Sequence, residues 1–98
     1  MATFVTTLKF TAKDFEVIKE SPKHAAAFKS AAKKLGIKVV GQYWTLGEFD
    51  GLLVYDAPDE ETAAAAMLHL SSLGNVRTST SRAFDAGEFE GVLGKLPK

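Results

Sequence analysis

The stretch Trp44-Thr-Leu-Gly-Glu-Phe-Asp-Gly-Leu-Leu-Val54 joins two apolar segments through a short polar connection. Two glycines bracket Glu48 and Asp50, and glycine and aspartate are frequent in the turns between antiparallel strands. The segments on either side, residues 37–46 and 51–57, are rich in β-branched and aromatic side chains. The pattern predicts a β-hairpin, and the remaining elements are arranged around it.

One helix is predicted before the hairpin and another after it. The first begins at Ser21, which serves as N-cap and is followed by a proline, and it ends at Gly36. A shorter helical turn over residues 12–20 precedes it. The second begins at Asp59 and ends at Gly74-Asn75. The inward stripes consist of apolar residues at helical spacing: Ala25, Phe28, Ala32 and Leu35 in the first helix, and Ala63, Ala66, Met67, Leu70 and Leu73 in the second.

Strands are also predicted at both ends of this pattern, over residues 2–10 and 76–84. The order strand, helix, strand, strand, helix, strand is the ferredoxin-like βαββαβ pattern. Right-handed crossovers then give an antiparallel sheet in the order 4-1-3-2, with both long helices on one face. A short C-terminal helix follows, and it is expected to bury three apolar side chains: Phe89, Val92 and Leu93. The 98 residues are therefore expected to form a single α+β domain, residues 1–98.

One face of this sheet is expected to lack a covering layer. The run Leu52-Leu-Val-Tyr55 is apolar on both sides of the pleat, and the adjacent aromatics Tyr43 and Trp44 point to opposite faces. Two helices cover only one face, so the other must meet water, a ligand or a second sheet. We therefore expect a homo-oligomer, a dimer or a multiple of a dimer, that associates through the sheet face and encloses a barrel-like cavity between subunits.

The composition narrows the classes of function. Twelve basic residues balance twelve acidic ones at a sequence pI near 6.7, so the basic excess of a nucleic-acid-binding protein is absent. The chain has no cysteine, which excludes disulfides, thiolate metal sites and a cysteine nucleophile. Neither a signal-peptide pattern nor an apolar run of about 18 residues is present, so a soluble cytoplasmic protein without a membrane span is expected.

Five segments of the chain are similar to a known family: Tyr43-Trp-Thr-Leu-Gly-Glu-Phe-Asp-Gly51, Ser72-Leu-Gly-Asn-Val-Arg-Thr78, Arg82-Ala-Phe84, Leu8-Lys-Phe-Thr11 and Glu20-Ser-Pro-Lys23. Together they resemble the GYD-domain family. The resemblance covers nearly the whole chain. It departs at Phe49, where the motif that names the family has tyrosine, so no polar role is assigned to this position. The resemblance implies a ferredoxin-like fold of the dimeric α/β-barrel type, and it implies little about chemistry because the family is largely without an assigned activity.

The topology predicts that charged and aromatic residues meet at one rim of the sheet, where strand 1 ends and the hairpin turns. The expected members of this rim are Lys9, His24, Trp44, Glu48, Asp50, His69 and Arg77. Arg82 is expected nearer the opposite rim. Because it is five residues from Arg77, it also faces the other side of a regular strand.

Each charged candidate at the rim has a functional and a structural interpretation. Glu48 and Asp50 are candidate catalytic carboxylates, with His24 as a further acid or base, but the hairpin itself accounts for an aspartate between two glycines. Lys9 and Arg77 suit an anionic ligand group, and the structural alternative is an ion pair at the rim.

The aromatic and histidine residues are open to the same two interpretations. Tyr43 and Trp44 are candidate ligand-binding residues, because one of them lines the cavity or the interface on the uncovered face. His24 and His69 are weak metal candidates, since a metal site needs a third ligand and partly exposed surface histidines are the favoured interpretation of both. No cofactor is expected.

Two functions of different class, with one further alternative, are consistent with these residues. The first is a protein that binds a small, partly apolar anion in the cavity between sheets, using Lys9, Tyr43, Trp44 and Arg77. The second is a small enzyme of the oxygenase or isomerase type that uses the same cavity to exclude water. The further alternative is a structural assembly module with a filled interface. No set of nucleophile, base and orienting residue emerges from the sequence, which favours binding.

Overall fold

The computed structural model of the protein describes residues 1–12, 18–72 and 76–98. The strands are β1 (Ala2–Phe10), β2 (Lys38–Trp44), β3 (Gly51–Ala57) and β4 (Val76–Ala83), and the helices are α1 (Ser21–Lys34), α2 (Glu60–Ser72) and α3 (Ala86–Leu93). A short 3-10 turn, Ile18–Glu20, precedes α1. The sheet order is β2-β3-β1-β4, which confirms the predicted ferredoxin-like fold and its short C-terminal helix. Most of the predicted turn over residues 12–20 and the stop at Gly74-Asn75 lie outside the described residues.

The central strand β1 pairs with β3 on one side and β4 on the other, antiparallel in both cases. Alternation along the strands sends Phe4, Thr6, Leu53 and Tyr55 toward the helices, and all four are buried. The edge strand β2 pairs with β3 and is interrupted by an irregularity at Val40, which the sequence did not reveal.

The other side of the sheet is not covered by the helices, and we call it the open face. Its side chains come from all four strands: Val5, Thr7, Lys9, Tyr43, Leu52, Val54, Arg77, Ser79 and Ser81. The central positions Val5, Leu52 and Val54 are only half-buried, whereas their helix-facing neighbours are fully buried. The amino-acid pattern of β3, apolar on both sides of the pleat, therefore corresponds to one packed side and one open side.

A small hydrophobic core lies between the helices and the sheet. It consists of Phe4, Phe28, Ala32, Ile37, Leu53, Tyr55, Ala57, Ala63, Ala66 and Met67. Four of these residues are alanines, which let the helices approach the sheet closely but contribute little apolar area. No helix among the described residues is both long and apolar enough to span a bilayer.

The ends of the helices follow local chemistry, with one exception. At the end of α1, Ile37 and Gly36 donate to the carbonyls of Ala32 and Lys33, and Gly36 adopts a φ of 78°, so the predicted glycine stop is confirmed. The predicted N-cap at Ser21 is wrong, because α1 already includes Ser21 and no side chain caps its start. The Ser21 hydroxyl instead accepts a hydrogen bond from a distant side chain, described below.

The start of α2 agrees with the sequence. The Asp59 carboxylate accepts a 2.7 Å hydrogen bond from the backbone N–H of Thr62. The side-chain and backbone hydrogen bonds from Thr62 lower the pKa of Asp59, because they favour its charged form. The predicted cap at Asp59 is therefore confirmed.

The buried hydroxyl of Thr6 links the sheet to α2. Its Oγ1 atom lies 3.1 Å from the Tyr55 hydroxyl, 2.8 Å from the Thr80 hydroxyl and 3.4 Å from the Met67 sulfur. Thr6 and Tyr55 are both 0% exposed, so neither hydroxyl can turn to water if its partner is lost. The network therefore fixes β1, β3, β4 and α2 relative to one another.

We predict that Thr6→Val lowers the free energy of unfolding by about 1–3 kcal/mol, because the substitution leaves the Tyr55 hydroxyl buried without its partner. Urea unfolding followed by circular dichroism measures the change. Thr6→Ser, which keeps the hydroxyl, is the matched control and should retain most of the stability. A double variant, Thr6→Val with Tyr55→Phe, should recover part of the loss. Equal losses in the single and double variants would contradict the pairing.

Candidate functional site

A cavity of about 370 Å³ lies between α1, α2 and the helix-facing side of the sheet. Its walls are mostly apolar and include Leu8, Phe10, Phe28, Leu53, Leu70 and Val76. The volume falls in the lower part of the range of small-molecule sites, which begins at about 300 Å³. The cavity lies within a single chain, so it differs from the predicted cavity between two sheets.

Polar groups at the cavity come from both helices and from β2. His24 of α1 and His69 of α2 contribute to its lining, together with Ser21, Gln42 and Trp44. The His24 side chain is 45% exposed, and its Nε2 atom lies 3.8 Å from a carboxylate oxygen of Glu20, one helical turn earlier. The lining residues that the structure describes include neither lysine nor arginine.

The Trp44 side chain is fixed across the cavity wall. Its indole N–H donates a 2.9 Å hydrogen bond to the Ser21 hydroxyl, which joins β2 to the first residue of α1. Sequence reasoning missed this role for Ser21, because serine before proline is also a common helix cap. The available signal was Trp44 itself, since a tryptophan N–H that is partly buried usually finds an acceptor.

The neighbouring aromatic, Tyr43, lies on the open face opposite Leu52. Its ring passes over Gly41, and a Cβ atom built at Gly41 would stand only 2.8 Å from the ring. The glycine therefore makes room for an aromatic side chain that is still 58% exposed. The sequence predicted that Tyr43 and Trp44 point to opposite faces, and the structure shows that Tyr43 is the one on the open face.

The carboxylates of the hairpin serve different purposes. Asp50 is half-buried, and its Oδ2 atom accepts a 2.9 Å hydrogen bond from the backbone N–H of Phe10, while its own N–H donates to the carbonyl of Leu8. Glu48 is exposed, and its backbone carbonyl accepts a 2.9 Å bond from the Lys9 ammonium. Asp50 thus attaches the hairpin to the end of β1, which is broader than the turn role expected from the sequence.

The glycines that bracket these carboxylates also differ from each other. Gly47 has a φ of 123°, in the region that favours glycine, whereas Gly51 has no positive φ. Gly51 is instead buried within β3, where an added Cβ would meet Leu8 at 3.5 Å. Of the two glycines, only Gly47 therefore adopts a backbone conformation that favours glycine.

The sheet divides the residues predicted to share one rim. His24, Trp44 and His69 border the cavity on the helix side. Lys9 and Arg77 are directly opposite each other across β1 and β4, on the open face. A ligand in the cavity therefore meets the histidines and Trp44, and a ligand on the open face meets Lys9 and Arg77. Tyr43 lies on the open face of β2 but also contributes to the cavity lining. The four predicted ligand-binding residues fall on both sides of the sheet.

Two further predicted sites can be compared with the geometry. Within residues 1–12, 18–72 and 76–98, no three His, Asp or Glu side chains lie close enough to hold a metal ion, and His24 and His69 form at most a pair at the cavity. Arg82 lies on the helix-facing side, opposite Phe4, so it faces away from Arg77 as expected. Its guanidinium bonds the carbonyl of Thr3 and stacks 4.5 Å from the centre of the Phe84 ring.

The structure adds a feature that the balanced total charge conceals. Four lysines of α1 are exposed, namely Lys23, Lys29, Lys33 and Lys34, and the helix contains no acidic residue. None of the four forms an ion pair with the part of the chain that the structure describes. The outer side of α1 is therefore a locally basic surface.

Two comparisons with known proteins each found similarity along nearly the whole chain. The GYD domain family matches the chain over residues 4–93, from β1 to the end of α3. A relative from Thermus thermophilus, named "Glutamine synthetase and cystathionine beta-lyase binding protein", is 34% identical over 89 residues. The aligned part is 90% of this chain and 94% of the relative, so the similarity spans both proteins almost completely.

We predict that Asp50→Ala lowers the free energy of unfolding by about 1–2 kcal/mol, because the hydrogen bond from the backbone N–H of Phe10 is lost. Asp50→Asn keeps an acceptor oxygen and is the matched control, with a smaller loss expected. Chemical denaturation of the two variants and the wild type measures the difference. An unchanged stability in Asp50→Ala would show that the carboxylate is not a structural tie and would favour a role in chemistry.

Proposed function

The chain belongs to the GYD domain family, and we propose that it is a small protein-binding module that acts as an oligomer built on its open face. The observation that carries the proposal is the similarity to a relative that is itself named for binding two enzymes. We propose enzymes of the same kind, glutamine synthetase and cystathionine beta-lyase, as the first partners of this protein to examine.

The open face supports association with a second copy. Val5, Leu52 and Val54 lie at its centre and are only half-buried, next to the exposed ring of Tyr43. An apolar surface of this kind gains free energy when a partner excludes water from it, and two identical sheets can do so symmetrically. A homodimer, or a multiple of a dimer, is therefore the assembly that we propose.

The outer side of α1 suits the contact with the partner enzyme. If the open face is occupied by a second copy, the lysines of α1 remain accessible on the opposite side of the sheet. Lys23, Lys29 and Lys33 present positive charge without acidic neighbours on the helix, which complements an acidic patch on a larger protein. Such contacts accelerate association and weaken as salt concentration rises.

A second candidate function is the binding of a small molecule, and the cavity of about 370 Å³ is the observation that favours it. The described lining of this cavity is mostly apolar and includes no lysine or arginine, so the ligand that we propose for it is neutral and mostly apolar, with one polar group facing His24 or His69. The partly anionic ligand predicted from the sequence fits a different place, between two open faces, where Lys9, Arg77 and Tyr43 would surround it.

The enzyme alternative receives less support than either form of binding. Glu48 is exposed on the hairpin, and the Asp50 carboxylate already accepts a backbone hydrogen bond. His24 is the predicted acid or base that also borders the cavity. An oxygenase or isomerase built on this chain would therefore depend on His24 within the cavity rather than on the pair of carboxylates.

We predict that the double substitution Lys29→Glu and Lys33→Glu weakens binding to glutamine synthetase or cystathionine beta-lyase by at least about tenfold at low salt, because attraction at the α1 surface becomes repulsion. Lys29→Arg with Lys33→Arg preserves the charge and is the matched control, with affinity near that of the wild type. Biolayer interferometry with immobilised enzyme, at several salt concentrations, measures the effect. If the wild type binds neither enzyme, these partners are wrong; equal binding by both variants would exclude α1 as the contact.

For the cavity, we predict that Ala25→Phe abolishes binding of N-phenyl-1-naphthylamine, a neutral probe that fluoresces in apolar surroundings, because the new ring fills the space beside His24. Ala26→Phe is the matched control, since Ala26 is the next residue on α1 but is exposed and does not line the cavity. Fluorescence titration should give a Kd at least about tenfold weaker for Ala25→Phe than for Ala26→Phe. Equal affinities would show that the probe binds elsewhere and that the cavity is not a ligand site.

A further inference from the structure

Exposed apolar side chains are concentrated in two parts of the chain. The first is the C-terminal segment, whose exposed apolar residues are Phe84, Phe89, Val92, Leu93 and Leu96. The second is the edge strand β2 with the turn that follows it, where Val40, Tyr43, Trp44 and Leu46 are exposed. The two groups lie on the two opposite edges of the sheet, because α3 follows the edge strand β4 and β2 is the other edge.

The helix α3 is well formed at its start although its apolar side is uncovered. A capping box joins Asp85 and Glu88, with hydrogen bonds of 2.8 and 3.1 Å, and Glu88 also pairs with Arg82 of β4 at 3.3 Å. No residue of α3 is buried. Because a helix of eight residues is marginal in water by itself, its apolar side needs a packing partner to remain folded.

None of the residues of α3 is buried against the domain, and the dimensions of the chain agree with this. The longest extent is 53 Å, and the radius of gyration is 14.9 Å, against about 13 Å for a compact chain of this length. The attachment of Glu88 to Arg82 fixes the first turn of the helix at the edge of the sheet. The apolar residues beyond it, Phe89, Val92 and Leu93, are therefore placed to meet a separate molecule.

Symmetry identifies a partner that has the required surface. If two open faces meet about a two-fold axis that runs parallel to the strands, the β4 edge of each copy lies over the β2 edge of the other. Each α3, which follows β4, then lies near the β2 edge of the second copy, the part of the chain that carries the second group of exposed apolar residues. An axis perpendicular to the strands would instead bring β4 over β4 and would leave both groups uncovered.

We propose that α3 packs, through Phe89, Val92 and Leu93, against the β2 edge of a second copy of this chain at Val40 and Tyr43. This inference rests on the proposed dimer of open faces and specifies its orientation. The contact of α3 with the second copy adds to the accessible surface that a dimer of open faces buries, which is about 800 Å² on each partner in a stable interface.

The absence of cysteine from the chain allows a direct test by disulfide cross-linking. One tagged copy carries Val92→Cys, a second copy with a different tag carries Val40→Cys, and the mixture is equilibrated and oxidised. We expect a disulfide-linked heterodimer. The matched control replaces Val40→Cys by Leu68→Cys, a position on α2 that is 71% exposed and so more accessible than Val40 at 58%, and should give at least about fivefold less product. Equal yields from the two mixtures would overturn the proposal.

Light scattering on the full chain separates this inference from the proposed dimer. The double variant Phe89→Ser with Leu93→Ser should dissociate at least about tenfold more readily than the wild type, while Leu68→Ser, the matched control, should not. The variant is expected to keep its fold, since α3 contributes no buried residue. A dimer that persists unchanged in the double variant overturns the role of α3 but leaves the dimer of open faces intact. A wild type that is monomeric at every concentration overturns both.

Discussion

Two helices cover one face of a four-stranded sheet, and in the part of the chain that the structure describes they leave the other face open. This constraint follows from the βαββαβ order, because right-handed crossovers place α1 and α2 on the same side. On the covered side, alternate residues form the core and leave a cavity at the end of the sheet where β1 stops. On the open face, the residues between them in sequence have no covering layer. Alternate residues of the strands therefore face the helix side of the sheet and the open face.

The sequence predicted the elements because their signals are local. A glycine stop at Gly36 and an aspartate cap at Asp59 depend on a few neighbouring residues, and strand order follows from the sequence of elements. The predicted rim was less complete, since proximity along the strands does not determine which side of the sheet a residue occupies. Only the pairing register shows that Lys9 and Arg77 lie on the open face and that Trp44 lies on the helix side. The irregularity at Val40 has no sequence signal, and the partner of Ser21 lies 23 residues away.

Charge is distributed in a way that total composition does not reveal. The whole chain has a formal net charge of zero, yet α1 carries lysines and no acid, and the paired Lys9 and Arg77 place two positive charges side by side on the open face. The Lys9 ammonium donates a hydrogen bond to the backbone carbonyl of Glu48, which relieves part of this repulsion. The acceptor in this contact is a carbonyl and not a carboxylate, so the positive charge of Lys9 has no carboxylate partner there. A neutral protein can therefore present two basic surfaces, on opposite sides of one sheet.

Because the core is small, the proposed association of two copies affects the stability of the fold as well as the function. Ten buried apolar residues form the described core and four are alanines, so much of the apolar area of the chain stays at its surface. A second copy that covers this area binds the folded chain and not the unfolded one, so by mass action the folded state gains stability as protein concentration rises. The edge strand β2 takes part in both, because Trp44 and Tyr43 line the cavity and Tyr43 also lies on the open face. In the proposed dimer, an interface that orders β2 would therefore also order the wall of the cavity.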